Sequence, residues 1–150
     1  MTTTDKSKQL STSLELINDR LNFNGFAGEN PPVPIDYIPP LGDNLGYTSL
    51  ELLLLSFSSC VGSAMLIFLR RMKKTLAGFR IHSTGIRHEM HPTGFRNIVL
   101  DIHLKSPDTT EEELRNILTL AEDTYCPVWA MIRGNVEVEV RLHIEAPVQV

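Results

Sequence analysis

The strongest pattern in the chain is a run without charge. From Leu52 to Leu69, LLLLSFSSCVGSAMLIFL, apolar residues are interrupted only by serines, a glycine and a cysteine. As a helix, at about 1.5 Å per residue, the run measures roughly 27 Å, close to the thickness of a bilayer core. Serine and glycine dilute it, Glu51 stands at its entrance, and no second such run exists to pair with it. The pattern therefore predicts the central helix of a globular core, with a single-pass anchor as the competing expectation. Thr48 or Ser49 can cap this helix, and Glu51 in its first turn suits the helix dipole. Gly78 predicts its end, with the last turn near Leu76.

On either side the period changes. SLELINDRLNFNGFAG shows a loose apolar–polar alternation punctuated by Asn, Asp and Gly, which predicts two short strands and a turn. NPPVPIDYIPPLGDNLGYTS, with five prolines and with Gly42 and Gly46, reads as a long ordered loop or a linker. After the helix, FRIHSTGIRHEM and NIVLDIHLKS alternate across the turn-forming HPTGFR, predicting an antiparallel hairpin with Ile98, Leu100, Ile102 and Leu104 on one face. SPDTTEEELRNILTLAEDTY carries a polar cap, acidic first turn and Leu114, Ile117, Leu118 and Ala121 at helical spacing. CPVWAMIRGN is a proline-marked restart, and VEVEVRLHIE is a strictly alternating final strand. The order predicts an α+β fold.

The 150 residues, 42% hydrophobic and 21% charged, suit one globular domain over residues 1–150. Residues 1–12 are polar and read as a flexible leader without the apolar core of a secretory signal, so a cytoplasmic location is expected. A net charge of −4 leaves no electrostatic footprint for nucleic acid. Arg70, Arg71, Lys73 and Lys74 read as a solvated helix end, and neither a nucleic-acid nor a membrane partner is expected. In HEMH, His88 and His91 point to opposite faces of a strand with no third ligand set nearby, so no metal is expected. His103 and His143 occupy polar strand positions.

Two residues remain with chemistry to explain. Cys60 lies within the apolar helix and Cys126 at the junction YCPVW, and each alone reads as a small core residue. Two cysteines are too few for a disulfide framework or a four-cysteine zinc site. Taken with their surroundings, PIDYIPPLGDNLGYTSLELLLLSFSSC and AEDTYCPV, the sequence resembles the OsmC/Ohr family of thiol peroxidases, in element order from Ser13 to Ile144.

The resemblance implies an OsmC-like fold, with antiparallel sheets packed on a long central apolar helix, in an intertwined homodimer whose two sites lie at the subunit interface. It further implies a thiol-dependent peroxidase in which Cys60 attacks the O–O bond of an organic hydroperoxide and becomes a sulfenic acid. Cys126 then condenses with it to a Cys60–Cys126 disulfide, and a dithiol reductant of lipoyl or thioredoxin type reopens it, without a cofactor. A free thiol with a pKa near 8.5 is only a few per cent ionised at neutral pH, and burial lowers that fraction, so a cation must assist. The family takes an arginine from its N-terminal strands, and Arg20 is the only arginine ahead of the helix. Phe57 and Trp129 are read as walls of an apolar substrate pocket or as core.

One position departs from the family pattern. Its glutamate ten residues before the nucleophile is here Leu50, and Glu51 stands nine residues before Cys60. At about 100° per residue that puts Glu51 roughly opposite Cys60 on a straight helix. Glu51 is either a catalytic carboxylate offered to the partner chain or a first-turn cap, and both readings stand. Leu50 also motivates an alternative function, a non-catalytic module of the same fold binding a small apolar ligand. Glu122, four residues before Cys126, reads as an ordinary helical glutamate.

Overall fold

A computed structural model describes residues 6–146. Of the expected leader, residues 1–5 lie outside the described residues, and residues 6–12 are exposed and belong to no strand or helix. The chain divides into two compact units between Leu52 and Leu53.

The first unit is a three-stranded antiparallel sheet, β1 (Ser13–Leu16), β2 (Phe23–Phe26) and β3 (Val33–Ile35), in that order. The third strand lies inside the proline-rich stretch; Pro34 is tolerated because β3 is an edge strand, where a missing N–H costs no ladder bond. The loop that follows is ordered around Asp36, buried at 3% exposure, whose carboxylate accepts the backbone N–H groups of Tyr37 (2.7 Å), Leu45 (3.1 Å) and Asp43 (3.3 Å). Burial pushes the Asp36 carboxyl upward, and these donors outweigh it, holding the group below the usual carboxylate range. Gly42 and Gly46 are needed because a Cβ on either would collide with backbone, of Tyr37 and Pro34 respectively.

The second unit is built on the long helix α1 (Ser49–Arg71), whose first turn lies in the first unit. Phe57, Val61, Met65 and Leu69, spaced by four, are completely buried. Gly62 brings the helix close to the sheet: a Cβ there would lie 3.2 Å from Phe79 Cε1 and 3.4 Å from Ile81 Cδ1. Those two residues belong to β4 (Gly78–Arg87), which pairs antiparallel with β5 (Phe95–Lys105) as the hairpin pattern predicts. Ile98, Leu100, Ile102 and Leu104 form the buried face of β5.

Two features differ from the sequence reading. The final strand, β6 (Glu137–Glu145), pairs parallel to β5, so the second sheet is mixed; alternation reveals which face a strand buries, not its direction. The parallel pairing needs a crossover, supplied by α2 (Glu111–Leu120), a π-helical turn (Ala121–Tyr125) and α3 (Pro127–Ile132). Secondly, α1 ends at Arg71 rather than near Leu76. Lys73 adopts a left-handed conformation (φ 58°); its N–H bonds to Arg70 O and that of Lys74 to Leu69 O, both at 3.0 Å. This is a Schellman ending without glycine. Lys74 is then held by Glu113 at 2.6 Å, which docks the helix end on the capped start of α2.

Two outcomes follow. Gly62→Leu, by forcing α1 off Phe79 and Ile81, is expected to cost about 1–3 kcal/mol in urea unfolding. Lys73→Gly, which relieves a left-handed lysine, is expected to raise stability by up to about 1 kcal/mol in the same assay.

Candidate active site

The helical period of α1 places Cys60, Ala64, Ile67, Phe68 and Arg71 along one stripe, at offsets of four, seven, eight and eleven residues. These residues line a groove of about 530 Å³. Ser56, Ser59 and Ser63 of α1 also line it, together with Tyr125, Pro127 and Val128 from the later segment. The Phe68 and Tyr125 rings meet edge to face, 5.0 Å apart. The Arg71 guanidinium also lines the groove and lies 5.8 Å from the Phe68 ring centre.

Cys60 is half-buried, Cys126 is buried at 2% exposure, and both thiols are free. Cys60 is near enough to Cys126 to influence its ionisation. The local sequence explains how Cys126 is held. The π-helical turn ends with the Cys126 N–H on Ala121 O at 2.9 Å, and Pro127 starts α3 at a position where a missing N–H is harmless. Cys126 caps α3 with its own sulfur, which accepts the Trp129 N–H at 3.4 Å. Burial, and next the neighbouring Cys60, push the Cys126 thiol up to about 11, against a smaller opposing effect of the Trp129 N–H. Cys126 is thus a protonated thiol at neutral pH, adjacent to a cysteine that faces the groove.

The other predicted residues fall as follows. Phe57 and Trp129 are buried in the core, packed edge to face at 5.3 Å, and are absent from the groove lining; the aromatic walls are Phe68 and Tyr125. A helix apolar on nearly every side conceals which face is lined, although the stripe through Cys60 would have identified Phe68. Arg20, in the first unit, pairs with Asp43 and donates to Pro40 O. Glu51 forms a capping box with Thr48: its carboxylate accepts the Thr48 N–H at 2.9 Å, and its own N–H bonds to Thr48 Oγ1 at 3.2 Å. The Thr48 backbone N–H, with its hydroxyl, holds the Glu51 carboxyl below its ordinary value. Among the described residues no three His, Cys, Asp or Glu side chains are grouped so as to hold a metal ion.

A family model described as OsmC-like protein matches residues 42–141. Comparison with curated protein sequences finds no match. Among solved structures, a hypothetical protein from Aquifex aeolicus is similar with a TM-score of 0.82 at 21% identity, over 94% of this chain and 99% of that one. An OsmC-like protein from Mycoplasma pneumoniae follows with a TM-score of 0.79 at 17% identity, covering 92% and 98%. The organic hydroperoxide resistance protein OsmC of Legionella pneumophila is similar with a TM-score of 0.70 at 18% identity, covering 90% and 96%. At these identities the likeness is one of fold.

The raised Cys126 pKa has a pH signature. Between its ordinary value near 9 and about 11 the native state holds a proton that the unfolded chain has released. The corresponding stability is present in full below that window and is lost as pH rises through it. Urea unfolding of the reduced protein is expected to show a steeper loss of stability from pH 9 to 10.5 than Cys126→Ser shows. At the helix start, Glu51→Ala is expected to cost about 1 kcal/mol, and Glu51→Gln, which preserves the capping chemistry, close to nothing.

Proposed function

The chain belongs to the OsmC-like protein family, and from that premise we propose that it is a thiol-dependent peroxidase acting on organic hydroperoxides. The observation that carries the reading is the pair of free, adjacent thiols of unequal exposure, Cys60 on the groove and Cys126 buried beside it. In the first step the Cys60 thiolate attacks the distal peroxide oxygen. The O–O bond breaks, the alkoxide takes a proton and leaves as an alcohol, and Cys60 becomes a sulfenic acid. The Cys126 sulfur then displaces hydroxide from the Cys60 sulfur, and the proton that Cys126 gives up completes a water as the disulfide forms. A dithiol of lipoyl or thioredoxin type returns both thiols by exchange.

The apolar middle of the groove supports a hydroperoxide with a hydrocarbon body. Arg20 is the cation assigned to the Cys60 thiolate, and Glu51 the auxiliary carboxylate. The assembly is a homodimer in a reducing, cytoplasmic compartment. Exposed Leu14, Leu16, Leu41 and Leu45 of the first unit and Leu55 of α1 support the dimer, which would have twice the 16.9 kDa mass of one chain in solution. The second reading, a binding module for a small apolar ligand, is favoured by Leu50 and by the same groove.

Thiol titration and intact mass of the reduced protein, before and after a small excess of cumene hydroperoxide, test the reading. The wild type is expected to lose both thiols, Cys126→Ser to accumulate a sulfenic acid, and Cys60→Ser to stay reduced. Arg20→Ala is expected to slow the first step by about tenfold to a hundredfold. Persistence of both thiols in the wild type would transfer the assignment to the binding module.

A further inference from the structure

The turn that carries Cys126 contains a carbonyl that the backbone cannot satisfy. In the π-helical turn the Cys126 N–H is taken by Ala121 O, five residues back. By the same register Glu122 O would accept from residue 127, but residue 127 is proline and has no N–H. The donor four residues on, at Cys126, is already committed. Glu122 O is therefore left without a backbone partner by the two features, π turn and proline, that place Cys126 where it is. Arg133 fills the gap: its Nη2 donates to Glu122 O, and the same group lies 3.6 Å from Asp123 Oδ1. Arg133 directly follows α3, and its backbone N–H is fixed on Trp129 O at 2.9 Å. One side chain thus ties the start of the Cys126 segment to its end, eleven residues apart.

We propose that Arg133 is a positioning residue for the resolving thiol, holding the π turn closed so that Cys126 meets oxidised Cys60. This rests on the peroxidase reading for the step it affects. The placement itself is independent of that reading. The ion pair with Asp123 is exposed and contributes little, since water screens it; the hydrogen bond to Glu122 O is exposed too, and its effect is to link the two ends of the segment geometrically. Tyr125, on Phe68, and Trp129, on Phe57, anchor the segment to α1 by contacts that do not involve Arg133. Loss of Arg133 therefore loosens the turn without unfolding the unit.

Arg133→Ala, Arg133→Lys and Asp123→Asn, in the full chain, separate these roles. In rapid-quench experiments with cumene hydroperoxide and a sulfenic-acid trap, Arg133→Ala is expected to oxidise Cys60 at the wild-type rate and to form the disulfide about tenfold more slowly, so that trapped sulfenic acid accumulates. Arg133→Lys, which keeps a donor, is expected to recover most of that rate, and Asp123→Asn to match the wild type. Equal slowing of both steps, or of neither, would overturn the proposal. Iodoacetamide labelling of the reduced proteins decides the case even if the wild type proves to have no peroxidase cycle. Faster labelling of Cys126 in Arg133→Ala, with Cys60 unchanged, is the expected result; unchanged labelling of Cys126 refutes the positioning role.

Discussion

The close seating of α1 on β4 is the constraint from which the site follows. Gly62, with no side chain between the helix backbone and the Phe79 and Ile81 rows, fixes how deep the helix lies and how it is rotated. Rotation matters more than depth, because Cys60 is two residues away and turns with it. Burying Phe57, Val61, Met65 and Leu69 directs the stripe Cys60, Ala64, Ile67, Arg71 away from that buried row. Without the glycine contact the helix has several nearly equivalent apolar faces to offer, and the thiol could not be held on one groove.

The two cysteines then divide their properties by environment alone. Cys60 faces the groove, whereas Cys126 is enclosed and kept protonated by burial and by its neighbour. A buried thiol that caps a helix through its sulfur is shielded from reagents in solution. That asymmetry, more than any single residue, distinguishes this pair from two core cysteines that happen to touch.

Much of this was legible in the residues, and the omissions have physical causes. The start of α1 was readable from a capping Thr48 or Ser49 followed by Glu51 in the first turn; its end was not, because the left-handed residue is Lys73, a type for which that conformation is costly where for Gly78 it would not be. The buried face of β5 followed from alternation, while the parallel direction of β6 did not, since alternation carries no sign. Cys60 and Cys126 each looked like core, and only their two motif contexts joined them. Phe57 and Trp129, which their places near the two cysteines left as wall or core, are core; the aromatic side chains on the groove are Phe68 and Tyr125, which the period from Cys60 and the position before Cys126 select. The contact of Arg133 with Glu122 O had no signal in the sequence until the turn before Pro127 was seen to be π-helical.

The parallel pairing of β6 with β5 also orders events in the life of the chain. A crossover of two helices must dock before that ladder can close, and such long-range pairing is among the later and slower steps of folding. Cys60 and Cys126 are separated by 66 positions in the chain, and nothing local in the sequence holds them together before the fold does. The crossover that delivers Cys126 is the same element that completes the mixed sheet. The fixed placement of the two thiols is thus a product of the same docking that closes the mixed sheet.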